Sequence, residues 1–187
     1  MKRRSKGIVF LCLGAALLLC AGGWYLALQA EDDAAGRQAT AVLTAWDTAP
    51  TERSTEHAET VLVAGNDRFC GKLTVDALGL TLPVHSEWDY ARLKTAPCRY
   101  VGTAQAGNMV IAAHNYDSHF GRLRRLAVGD AVTFKDVDGT VYRYTVKEVV
   151  TLDGTAVEDM RAGEWDLTLF TCTKSGKQRV TVRCEQE

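Results

Sequence analysis

The chain has 187 residues, 47% hydrophobic and 24% charged, with 3 prolines against 16 glycines, a balance that excludes a disordered, collagen-like or multidomain protein and favours one globular domain. Lys2, Arg3, Arg4 and Lys6 precede every acidic residue, which leaves 18 Lys and Arg against 23 Asp and Glu from Gly7 onward. The body of the chain is therefore acidic, and no nucleic-acid partner is expected.

Residues 1–6 form a basic tail ahead of 22 uncharged positions, Gly7 to Leu28. A helix of that length covers the hydrocarbon core of a bilayer, roughly 30 Å thick. The cations before it and Glu31, Asp32 and Asp33 after it predict a single-pass anchor, with the N-terminus cytoplasmic and the remainder extracytoplasmic. Leu28-Gln29-Ala30 is a tolerable cleavage site, but the apolar stretch is longer than a signal peptide needs. A buried core helix is the bland reading. Cys20 after Leu17-Leu18-Leu19 lacks the small residue of a lipoprotein box.

Residues 29–60 read as a linker: a short helix with Ala39, Val42, Leu43 and Trp46 on one face, then a polar stalk that includes His57. From Val61 the texture changes, and residues 61–187 predict a mainly β domain. Seven strands are expected: Lys72–Val75, Leu80–Val84, Met109–Ala113, Ala131–Phe134, Val141–Val150, Leu167–Thr171 and Arg179–Arg183. Asp138-Gly139 predicts a two-residue hairpin loop between the fourth and fifth. Glu87–Leu93 and Phe120–Leu126 read as helical turns. A domain of about 125 residues buries enough apolar surface to fold without disulfides.

Cys12 and Cys20 fall in the apolar stretch, whereas Cys70, Cys98, Cys172 and Cys184 fall in the β domain. An exported even set suggests two disulfides, but the surroundings of Cys172 point elsewhere. It closes the apolar run Leu167–Thr171, is followed by Thr173, Lys174 and Ser175, and so stands partly exposed at a strand end beside cations, which lower a thiol pKa. His114 likewise ends the run Met109–Ala113, a rigid place from which to present an imidazole. His85 reads as a solvated residue at a strand end, and His119 as a wall residue of the following loop. Alternation puts Arg179, Thr181 and Arg183 on one strand face, from which the Arg179 guanidinium can donate to a carbonyl or developing oxyanion.

These residues carry a resemblance. Thr168-Leu169-Phe170-Thr171-Cys172 fits the T-L-x-T-C motif of the sortases, with Arg179 at the start of the next strand and Ala113-His114-Asn115 upstream. Leu82-Pro83-Val84, Phe120-Gly121-Arg122-Leu123 and Gly129-Asp130-Ala131-Val132 also resemble that family, so that the likeness runs from about Gly71 to Cys184. It implies a closed eight-stranded β-barrel, with the eighth strand hidden in a loop-like region. It also implies a cysteine transpeptidase that cleaves an L-P-x-T-G-like sorting motif through a thioacyl enzyme.

By that resemblance Cys172 is the nucleophile, His114 the proton donor and acceptor, Arg179 the group that binds the substrate backbone or the oxyanion, and Thr171 a substrate-positioning residue. No metal or organic cofactor is implied. The implied partners are secreted proteins bearing a C-terminal sorting signal, with an amine of a peptidoglycan precursor or a pilin as acceptor. His114-Asn115 and Trp88-Asp89-Tyr90 lean toward a class B-like or unclassified member, although the Cys172-to-Arg179 spacing leaves no room for the usual class B insertion. A Cys98–Cys184 bridge or a pair involving Cys70 stays open, as do reduced thiols or one intermolecular bridge. Two other functions compete: a cysteine peptidase that hydrolyses the acyl enzyme, and a non-catalytic surface β-barrel with Cys172 bridged to Cys184.

Overall fold

The structure, a computed structural model, describes residues 2–55, 58–161 and 165–187, with side chains from residue 7 onward; His57 lies outside the described residues. The chain divides into two units, Met1–Ala34 and Ala35–Glu187. Helix α1, Lys2–Ala45, supplies nearly all of the first. Its apolar side chains, among them Ile8, Phe10, Leu11, Leu18 and Trp24, are exposed, an all-round apolar surface suited to lipid. It is long and apolar enough to cross a membrane and is a candidate anchor.

In the second unit, α1 runs on through Ala35 and Ala39, both buried. The strands are β1 Thr51–Arg53, β2 Thr60–Ala64, β3 Asp67–Val75, β4 Leu80–His85, β5 Cys98–Val101 and β6 Met109–Ala113. They continue with β7 Ala131–Asp136, β8 Val141–Asp153, the short helix α2 Val157–Arg161, β9 Leu167–Cys172 and β10 Gln178–Gln186. The sheet order is β1-β2-β3-β4-β5-β6-β9-β10-β8-β7, and β7 returns to β3. The eight strands β3 to β10 thus form a closed barrel, with β1 and β2 added outside the ring through the first residues of β3. Closure leaves these eight strands without a free edge along the paired segments.

Alternation decides the interior. Leu73 and Val75 of β3, Met109, Ile111 and Ala113 of β6, Leu167 and Leu169 of β9, and Val180, Val182 and Cys184 of β10 fill one core. Fully burying a Leu or Ile contributes about 1.5–3 kcal/mol. On the outer face Val110, Ala112 and Phe170 pack with Leu93, Cys98 and Met160.

All seven expected strands are present, and the eighth barrel strand is β5. It escapes a hydropathy reading because it is short and buries the charged Arg99 beside Cys98. Within the range expected as a linker, the described residues from Ala35 on fall in the second unit. Trp46 is buried with Leu62, Phe69 and Ala96, and Lys72 Nζ lies 4.8 Å from its ring centroid. Arg99 pairs with Glu59 at 2.6 Å, tying the start of β2 to β5. The Asp138-Gly139 hairpin is also present, but with a three-residue loop: Asp136 and Thr140 close it (N–H to O, 3.0 Å), and Gly139 takes φ 94°. A left-handed glycine at that place belongs to the three-residue hairpin.

His85 is fully buried rather than solvated, stacked 4.4 Å from Phe69. The Thr95 hydroxyl donates to the Arg92 carbonyl at 2.8 Å and so accepts from His85 Nε2 at 2.9 Å. Burial pushes its pKa down to about 4. Because the folded state holds the neutral ring, its contribution is complete above the ordinary pKa of 6.5 and is lost as pH falls toward 4. Denaturant melts should show unfolding free energy dropping by about 2–4 kcal/mol over that window, and His85→Gln should flatten the drop.

Candidate active site

Three adjacent strands end together. Strands β6 and β9 pair in parallel with Ala113 opposite Thr171, so His114 and Cys172 are the next residues along each. Antiparallel β10 places Arg179 opposite Cys172. Face parity agrees: Ala113, Leu169 and Val180 point into the core, which puts His114, Cys172 and Arg179 on the outer face. Neighbouring strands lie about 4.8 Å apart, so the three side chains stand side by side, with the cysteine in the middle. The Thr171 hydroxyl clasps the two parallel strand ends, donating to the Ala113 carbonyl at 2.8 Å from a buried position.

His114 is held at the root of a tight loop. Its carbonyl accepts the Phe120 N–H at 3.2 Å, and the Tyr116 carbonyl accepts from His119 and Gly121. Gly121 permits this return, because a Cβ there would lie 2.4 Å from the Asn115 carbonyl oxygen. The imidazole is half-buried between Tyr116 at 5.0 Å and Tyr90 at 6.0 Å. His119 is fully buried, its ring 5.6 Å from Tyr116, and so supports the loop from below. On the outside of this loop Gly36 of α1 meets Ser118, where a Cβ would come to 3.1 Å. The helix that precedes the barrel thereby braces the histidine loop.

Cys172 is half-buried and unbridged. Arg179 Nη1 donates to the carbonyls of Gly176 at 3.0 Å and Gln178 at 3.1 Å, within the turn that follows Cys172. The other three β-domain thiols differ: Cys70, Cys98 and Cys184 are buried, and burial pushes each up to about 12, far from a reactive thiolate. Cys184 lies in the barrel interior and Cys98 in the outer cluster, so the bridge left open between them has no path through the barrel wall. Cys172 cannot bridge Cys184 either. Cys184 pairs with Leu167 on the opposite face, five positions back along β9, about 17 Å away at 3.4 Å per residue.

An aromatic row along the same outer face was not legible as a site in the sequence. Phe170, two residues before Cys172, meets Tyr100 edge-on at 5.6 Å, and Tyr100 meets Trp88 at 5.0 Å. Trp88 and Tyr90 remain exposed. The arrangement offers a thiol between an imidazole and a guanidinium, beside an apolar track able to hold an extended peptide. Among the described residues no group of three or more His, Cys, Asp or Glu gathers as a metal site would require.

Thr171→Val should cost about 1–2 kcal/mol in denaturant unfolding, because it leaves the Ala113 carbonyl without that donor. A clasp that aligns two strand ends predicts a fall in kcat with KM nearly unchanged, and Thr171→Ser should restore stability and kcat together. A direct substrate contact predicts a raised KM without loss of stability.

No match was found among curated proteins. Solved structures are similar in fold. Sortase A of Listeria monocytogenes is 24% identical over 64% of this chain and 87% of that one, with a TM-score of 0.59. Sortase C1 of Streptococcus agalactiae is 22% identical over 63% and 66%, with a TM-score of 0.56. A sortase D5 transpeptidase of Clostridium perfringens is 20% identical over 64% and 79%, with the same TM-score. Their designations span classes A, C and D, so the shared barrel singles out no class. The profile of the Sortase domain matches residues 73–187, which include the ends of β6, β9 and β10 and every residue of the cluster just described. With the eight-stranded barrel and this match over more than half its length, the chain belongs to the sortase family.

Proposed function

We propose that the chain is a membrane-anchored cysteine transpeptidase that cleaves an L-P-x-T-G-like sorting motif and transfers the acyl part to an amine of the cell wall or of a pilin. The observation that carries this reading is the register that sets His114, Cys172 and Arg179 side by side across β6, β9 and β10. The Cys172 thiolate attacks the scissile carbonyl, and Arg179 donates to the developing oxyanion. The amide C–N bond breaks, with His114 protonating the departing amine, and a thioester remains. An incoming amine then gives its proton to His114 as the C–N bond forms and the thiolate leaves. The aromatic row from Trp88 to Phe170 offers a bed for the peptide ahead of the scissile bond.

The proposed topology keeps residues 1–6 cytoplasmic, uses residues 7–28 as the anchor, and exposes the barrel outside the cell. In this reading the α1 residues from Ala35 on and β1 and β2 are grouped with the catalytic unit, and residues 29–34 remain as the link from the anchor.

The test is to incubate the chain with a pool of L-P-x-T-G-like peptides and a diglycine amine, then read intact mass. A thioacyl adduct on Cys172 that converts to amine-linked product supports transpeptidation. An adduct that yields only free acid would replace it with hydrolysis.

A further inference from the structure

A cavity of about 230 Å³ adjoins Cys172, lined by Thr171, Cys172, Lys174 and Val180 from β9, its following turn and β10, and by Asn115, Asp117, Gly121, Arg124 and Arg125 from the segment after β6. The inward residues Thr171 and Val180 line this cavity together with Cys172, and none of Trp88, Tyr100 and Phe170 of the aromatic row does. Cys172 sits where the two meet.

Its charge is uneven. Three cations line it against the single carboxylate of Asp117, and none of Arg124, Arg125 and Lys174 has an ion pair among the described residues. Arg124 and Arg125 are held in place by a 3-10 turn, Leu123–Arg125, whose Leu123 is buried in the barrel core along with Leu126. Exposed cations fixed around a cleft beside a thiol raise the local concentration of anions and repel a bare ammonium.

We infer that this cavity is an anion subsite for the amine acceptor: it holds a carboxylate that the acceptor carries close to its nucleophilic nitrogen. The inference rests on the transpeptidase reading above. If the acyl part occupies the aromatic wall, the departing and incoming amines share the other side of Cys172, which is this cavity. A zwitterionic acceptor is neutral overall, and its carboxylate meets the cations while its amine, as the free base, faces the thioester. The attack forms the C–N bond, breaks the C–S bond and passes the amine proton to His114, so the anchoring carboxylate is unchanged by the reaction.

The first arm reads the cavity without any peptide substrate. Full-length chain in detergent is alkylated with iodoacetate or with iodoacetamide, and the modification of Cys172 is followed by peptide mapping. The ratio of the two rates cancels the thiolate fraction and reports how the surroundings treat an anion. A unit charge about 6 Å away in water-like surroundings changes the ratio about threefold. The triple variant Arg124→Gln, Arg125→Gln, Lys174→Gln should therefore lower the iodoacetate preference by at least about tenfold, and 0.5 M salt should shrink it in the parent. Each single variant, at an exposed side chain, should give its share and keeps the test open if the triple variant misfolds. An unchanged ratio overturns the anion site.

The second arm compares glycylglycine with glycylglycinamide as acceptors for the thioacyl enzyme. A several-fold preference for the dipeptide, lost in the triple variant, supports the acceptor assignment, and equal use of both overturns it. If no thioacyl adduct forms, the transpeptidase reading falls together with the acceptor assignment, whereas the alkylation ratio still decides the anion site.

Discussion

Replacing Cys172 with alanine should abolish acyl transfer, lowering kcat/KM by about four to six orders of magnitude, because every other described thiol in the catalytic unit is buried. Loss of proton transfer in His114→Ala should cost about two to four orders. The two act on one step, so the double variant should be no slower than Cys172→Ala alone. Both side chains stand at strand ends and are only half-buried, so their truncation leaves the barrel core untouched. Single-turnover transfer kinetics with matched denaturant melts would check this. A Cys172→Ala protein that still forms a covalent acyl adduct would move the nucleophile elsewhere and undo the mechanism.

Arg179 should give the next largest effect. Removing one preorganised oxyanion donor costs about two to three orders of magnitude in kcat, and Arg179→Ala should fall in that range. Its Nη1 is engaged by the Gly176 and Gln178 carbonyls, while Nε and Nη2 have no partner among the described residues and keep donors for a substrate carbonyl. Arg179→Lys should recover little, since an ammonium lacks the planar fork that serves the turn and the substrate together. The half-buried side chain contributes little to the core, so the melt should stay within about 0.5 kcal/mol of the parent. Normal turnover in Arg179→Ala would remove its assigned role.

How far the sequence could be read follows from what kind of information each feature needs. Alternation along β10 is local: Arg179, Thr181 and Arg183 share a face by the period of two, and the structure has that parity, with Val180 and Val182 turned into the core. Apolar runs bounded by glycine marked seven barrel strands for the same reason. β5 was not visible, because four residues containing a buried arginine carry no period. The polar β1 and Glu59 read as stalk, since β1 is exposed and is held by pairing with β2, and Glu59 by its ion pair with Arg99, forty residues further along the chain.

Composition and periodicity by themselves determined an apolar N-terminal span, a mainly β domain, a cysteine at a strand end and one shared strand face for Arg179, Thr181 and Arg183; the motif around Cys172 added the family. Only the tertiary structure decided which strand ends share a register, that β3 meets β7 to close the ring, that Cys98 and Cys184 lie on opposite sides of the wall, and that His85 is buried rather than solvated. It alone gathered Arg124, Arg125 and Lys174 around one cavity with Cys172. The physical reason is one of range. Which face a side chain takes is set by the two-residue repeat of its own strand, whereas register between strands about sixty residues apart is set by how both fill a common core, a property no single segment contains.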